Sequence, residues 1–405
     1  MLKCIECSSE FNLLDNRVFC SCGGLLQVEF KRIPSVSWST FRVRPFRLWR
    51  YREFIPLPSG AEIVSLGEGG TPLIRLVNSN SILGVREVYV KFDGANPTGS
   101  FKDRGMTVAI SIAKYIGVGI VACASTGNTS ASMSAYASRA GIKPLIVLPK
   151  GRIARGKLVQ AILHGAEIVL VKGGFDDALK VIIEASRRGL VYPLNSINPW
   201  RIEGQKTVAY EIVDEIGVPD WIVLPVGNAG NISAVWKGLV ELKRAGLIDR
   251  LPRLVGVQAS GAAPLVEMFR RGYRILKPVD NPETIATAIR IGKPVNWVRA
   301  LRAVRESRGL FIDVSDNDII GAQKILARHE GIGVEPASAA AIAGVAKLRK
   351  EGIIDRDERV VAIATGHALK DPDIILNHYN VRVHEASSID NALSLIRKIT
   401  LLNNS

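Results

Sequence analysis

Asn96-Pro97-Thr98-Gly99-Ser100-Phe101-Lys102-Asp103-Arg104-Gly105 places one lysine in a short polar loop that runs straight into an apolar, helix-like stretch at 106–116. A solvated surface lysine needs no Gly-Ser-Phe approach. A lysine that forms an imine does need a fixed, partly desolvated setting, because such an amine gives up its proton more readily. Lys102 is therefore the candidate for covalent chemistry, the bland alternative being a residue at a helix start. The surrounding pattern sets the fold class. β-rich runs at 88–92, 120–124, 144–148, 167–171, 221–226, 254–258 and 360–365 alternate with helical patterns at 105–116, 129–140, 155–164, 176–188, 204–216, 232–245, 316–329 and 337–351. Strands alternating with helices at this spacing predict an α/β fold, its parallel sheets covered by helices and joined by right-handed crossovers.

Three more motifs fall where such folds place ligands, at the C-terminal ends of strands. Ser125-Thr126-Gly127-Asn128 precedes a helix, and Asn128 can donate to a ligand oxygen or simply cap that helix. Gly227-Asn228-Ala229-Gly230-Asn231 opens another helix, where backbone N–H groups can converge on an anion. No Lys-Ser/Thr follows it, which disfavours a nucleotide P-loop; a plain glycine turn is the other reading. Thr365-Gly366-His367 ends a strand, so the Thr365 hydroxyl can meet a ring nitrogen or merely close a turn.

A chain of 405 residues, 47% hydrophobic and 22% charged, reads as a globular protein of two or more domains. No apolar run reaches the roughly 20 residues that span a bilayer. The N-terminus lacks the apolar core of a secretory signal, and a cytoplasmic location is expected. The net charge of +15 raises nucleic acid as a partner. The basic residues are spread along the chain, however, and the densest group (Arg42, Arg44, Arg47, Arg50, Arg52) has no recognition helix or aromatic-basic motif, so none is expected. Cys4-x2-Cys7-x12-Cys20-x-Cys22 suits tetrahedral Zn–S4 coordination, with Gly23-Gly24 allowing a tight second turn. A metal-free unit of the same shape and two disulfides are the alternatives.

Lysine, asparagine, anion loop and hydroxyl are the groups that hold pyridoxal phosphate. Together with Gly67-Glu-Gly-Gly-Thr-Pro-Leu73 and Asn195-Ser-Ile-Asn-Pro-Trp-Arg-Ile-Glu-Gly-Gln-Lys206, their order and spacing resemble the fold type II pyridoxal-phosphate enzymes, and among them the threonine synthases, over most of 62–375. The resemblance implies a fold of the tryptophan synthase β type, with two parallel-sheet α/β domains and a small cysteine knuckle. The expected divisions are a knuckle at 1–30, an arm at 31–60, a large cofactor-binding domain at 61–105 and 196–380, a small inserted domain at 106–195, and a strand-helix extension at 381–405. By the same resemblance Lys102 is the Schiff-base lysine and acid/base catalyst, and Asn128 faces the cofactor's 3'-oxygen. Gly227, Asn228, Ala229, Gly230 and Asn231 cradle its phosphate, Thr365 partners the pyridine nitrogen, and Asn195, Ser196 and Arg201 hold a substrate phosphate. The implied reaction turns O-phospho-L-homoserine and water into L-threonine and phosphate in a homodimer. The alternatives are a fold type II enzyme acting on O-phosphoserine, serine or threonine, or a zinc-knuckle protein that binds nucleic acid.

Overall fold

The computed structural model describes residues 1–150, 155–380 and 383–402. They form two compact units, Met1–Asp371 and Pro372–Ser405. The first is built on three sheets. The largest has six strands in the order Leu310–Val314, Arg253–Ala259, Trp221–Pro225, Arg359–Ala364, Glu87–Phe92 and Leu73–Arg75. All neighbours are parallel except the last, where Leu73–Arg75 adds an antiparallel edge. Its centre, Trp221–Pro225, is buried at every position, as a strand covered by helices on both faces must be. The second sheet is parallel throughout, in the order Glu167–Val171, Lys143–Pro149, Ile120–Cys123 and Tyr192–Pro193. The third is a small antiparallel sheet of Glu10–Phe11, Leu2–Cys4 and Leu26–Val28.

All seven strand expectations lie within a residue or so of observed strands, and the differences are local. The helix expected from 105 begins at Lys102. Asp103 explains this: its carboxylate accepts from Thr98 N at 2.7 Å and Thr98 Oγ1 at 2.6 Å, folding the preceding turn back onto the helix start. The single helix expected at 204–216 is two, Pro199–Gln205 and Thr207–Ile216. The first presses so closely on the Lys102 helix that a Cβ on Gly204 would lie 1.7 Å from the Arg104 carbonyl oxygen. Only a residue without a side chain permits that crossing.

The arm is anchored by aromatics. Phe41, Tyr51, Phe54 and Tyr210 pack with ring centroids 5.3–5.9 Å apart, and all four are fully buried. Three of its arginines are paired: Arg42 and Arg50 with Asp214, and Arg44 with Glu53. In the second unit, Pro372–His378 and Ile389–Leu402 are helical and 383–388 carries no strand, while 381 and 382 of the expected extended run lie outside the described residues. Among the described residues no helix is long and apolar enough to cross a membrane.

Candidate active site

Two backbone hydrogen bonds bring Lys102 and Thr365 together across the sheet end. Phe101 N donates to Thr365 O at 2.8 Å, and His367 N to Gly99 O at 2.9 Å. Lys102 is half-buried, with Nζ 4.0 Å from the centre of the Phe101 ring. Desolvation, then the positive charge of Arg201, holds its ammonium well below the ordinary lysine value, against a smaller opposing pull from Glu335. The amine is thus biased toward its neutral, nucleophilic form.

Asn128 heads the helix Asn128–Ala140 after the strand Ile120–Cys123. Its Nδ2 donates to Glu335 Oε1 at 3.2 Å and Oε2 at 3.1 Å. Glu335 is itself buried at the head of the alanine-rich helix Pro336–Lys350. Burial pushes its carboxyl up, countered by the Asn128 hydrogen bond and the charge of Lys370. A Cβ on Gly366 would lie 2.4 Å from Glu335 Oε1, so glycine lets the strand end close over this carboxyl. Thr365 Oγ1 lies 3.1 Å from Ser338 Oγ, whose hydroxyl also accepts from Gly366 N. The group at this position is therefore a neutral hydroxyl pair.

Gly227–Asn231 follows the central strand, with Ala229 in the left-handed region at φ 63° as the cap of the helix Gly230–Arg244. Among the described residues nothing accepts a hydrogen bond from the N–H groups of Asn228 to Asn231, and Asn231 Nδ2 is buried without a partner. Unpaired donors at a helix N-terminus, one of them buried, are a fit for a phosphate, and pyridoxal phosphate suits this set of residues.

The segment expected at the substrate phosphate is firmly held. Asn195 Oδ1 accepts from Ala124 N, and its Nδ2 donates to Ala124 O, so this side chain clamps the segment to the strand end. The Ser196 carbonyl accepts from Asn296 Nδ2. Arg201 is buried, donates from Nη1 to Leu194 O at 3.0 Å, and leaves Nε without a partner. Burial brings it down to about 10. A buried cation with a free donor calls for an anion.

Sequence reasoning missed Glu335, Ser338, Asn296 and Arg299. Glu335 had one legible signal, an acidic residue set directly before Pro336 at a helix start. The other three had none. At the N-terminus, the Sγ atoms of Cys4, Cys7, Cys20 and Cys22 all lie within 4.8 Å of one another.

Residues 64–366 match the family described as pyridoxal-phosphate dependent enzyme. Threonine synthase of Methanocaldococcus jannaschii is 54% identical over 376 residues, 92% of this chain and 93% of that one. Threonine synthase of Methanosarcina acetivorans is 49% identical over 381 residues, 93% of each. Among solved structures, a threonine deaminase isoform of Solanum lycopersicum superposes with TM-score 0.64 at 23% identity, covering 79% of this chain and 84% of that chain. A serine racemase of Dictyostelium discoideum gives 0.62 at 20% identity, covering 82% and 99%. These two likenesses concern the fold.

Proposed function

Because this chain belongs to the pyridoxal-phosphate-dependent enzymes and, among them, to the threonine synthases, we propose that it converts O-phospho-L-homoserine and water into L-threonine and phosphate. The observations that support the substrate are two anion-seeking groups: the unpaired N–H groups at 228–231 and the buried Arg201, whose charge acts on Lys102. One suits the cofactor's phosphate and the other the substrate's.

When bound, pyridoxal phosphate supplies an aldehyde that joins an amine and a ring that accepts the electron pair left by a departing proton. Lys102 Nζ would hold the group through that aldehyde. As a free amine Lys102 would take the substrate's Cα proton and return one, a task suited to an amine of lowered proton affinity. Thr365, paired with Ser338, offers a hydroxyl where a carboxylate would hold a proton on the ring nitrogen. This restrains the ring as an electron sink and favours elimination and replacement at the substrate's outer carbons. Asn128 would orient the ring oxygen, the 227–231 loop would hold the cofactor phosphate, and Ser196 and Arg201 would hold the substrate phosphate as it leaves from Cγ. Asn195 belongs to this group as the clamp on its backbone.

One methylene separates phosphohomoserine from phosphoserine, worth only about 1–3 kcal/mol in an apolar pocket. Supplying each compound separately and measuring phosphate with the amino acid formed decides between them. Phosphate released from phosphohomoserine with matching threonine is expected; preference for phosphoserine sinks the assignment.

The four clustered thiols support a structural zinc site, and a homodimer completes the proposal. Native mass spectrometry of the purified protein checks both, with the expected mass being two chains carrying about one zinc ion each. Metal-free monomers would contradict both.

A further inference from the structure

Beyond the residues that face cofactor and substrate, the four-cysteine unit is wired to both phosphate-binding segments. Cys4 pairs with Leu26 in the small antiparallel sheet. The Leu26 carbonyl accepts from Arg299 Nη2, and Arg299 Nη1 donates to Asn296 Oδ1 at 2.7 Å. Asn296 Nδ2 then donates to Asn228 O at 3.2 Å and Ser196 O at 3.1 Å, while Asn296 N also donates to Asn228 O. Asn296 is fully buried. A second, apolar route runs alongside: Ile197 packs with Ile5, Val18 and Leu25 of the cysteine unit and with Val295 and Val298.

An amide side chain has two donors on nitrogen and acceptors only on oxygen. With Arg299 in place, Asn296 can satisfy both carbonyls only in the observed orientation. Turned by half a rotation, it would set its oxygen against two carbonyl oxygens and its NH2 against a guanidinium. Arg299 therefore fixes the amide, and the amide fixes the Asn228 and Ser196 carbonyls. In a trans peptide the carbonyl and the next N–H point in opposite directions. Anchoring Asn228 O toward Asn296 turns the Ala229 N–H the other way, and anchoring Ser196 O does the same for Ile197 N–H.

We infer that Arg299 and Asn296 are positioning residues that aim the backbone donors of both phosphate-binding segments and tie that aim to the cysteine unit. The inference rests on the reading of 227–231 as the seat of the cofactor phosphate. It is tested with the full-length chain, stripped of cofactor, by titrating pyridoxal phosphate and, separately, phosphate-free pyridoxal, and following tryptophan fluorescence. The parent chain prefers the phosphorylated form strongly. Arg299→Ala narrows that preference about tenfold, the loss of roughly one well-aimed charged hydrogen bond, with pyridoxal affinity unchanged. Arg299→Lys, which keeps the charge without the planar fork, narrows it less and guards against an alanine variant that does not fold. In the reloaded variants KM for phosphohomoserine rises while kcat holds within about twofold. An unchanged preference, or equal weakening of both ligands, overturns the inference. A parent chain with no preference overturns the loop reading itself, and this inference with it.

Discussion

Lys102→Ala is expected to lower turnover at least about 10³-fold, since both the covalent anchor and the proton carrier are lost. The same variant loses the visible absorbance of the lysine-bound cofactor, while its thermal midpoint stays near that of the parent. The stability half follows from the geometry: the Lys102 side chain is half-buried and its Nζ lies over the ring of its neighbour Phe101, whereas the next residue, Asp103, carries the turn's hydrogen bonds. The parent should keep its activity well below pH 10.5, the ordinary lysine value, because burial and Arg201 lower the proton affinity of the amine. The neutral form is favoured more than in an ordinary lysine, and activity is expected to fall as the pH drops through the lowered value. Full turnover in Lys102→Ala would remove the lysine from the chemistry altogether.

Arg104→Met is expected to act on stability, destabilising the fold by about 3–5 kcal/mol, the range for breaking a buried pair from one side. Arg104 is fully buried on the far side of the Lys102 helix. It donates from Nε and Nη2 to Asp93, from Nη1 and Nη2 to Glu211, and to the hydroxyls of Thr71 and Thr207. Lys91, also fully buried, reaches Glu211 at 3.0 Å and Glu215 at 2.6 Å. Burial alone would raise the Glu211 carboxyl, yet Arg104 and Lys91 bring it down to about 2. A depressed carboxyl stabilises the fold fully above its unfolded value near 4.5, and that contribution fades as pH falls toward 2. In Arg104→Met the depression shrinks, so acid unfolding should begin at higher pH as well as at lower urea. Urea midpoints at neutral and mildly acidic pH check this, and midpoints equal to the parent's would contradict it.

The two variants bracket how the site is made. Lys102 and Arg104 are two residues apart, and both belong to the first turn of one helix. One stands at the proposed cofactor site and the other in a buried ionic core. The Asn96–Gly105 run announced the first role through its glycine, serine and capping residues. It said nothing of the second, because nothing local distinguishes Arg104 from a solvated arginine. Its partners, Asp93 aside, come from 71, 207 and 211.

The same division runs through the whole chain. Hydrophobic runs of strand length, helical periodicity and small polar residues at strand ends are local properties. From them the α/β class, the strand positions and the lysine, asparagine, glycine-loop and threonine motifs were readable, since parallel strands bring their C-terminal ends to one edge whatever the details. The Asn128–Glu335 contact spans 207 positions and the Arg299–Leu26 contact 273. No window of sequence holds both partners of either. The close crossing of Gly204 on the Arg104 backbone likewise joins segments far apart in sequence. Sequence alone determined which groups could do the chemistry. Tertiary packing decided which buried partners hold and aim them, because buried polar groups must be satisfied by whatever the fold brings within hydrogen-bonding distance.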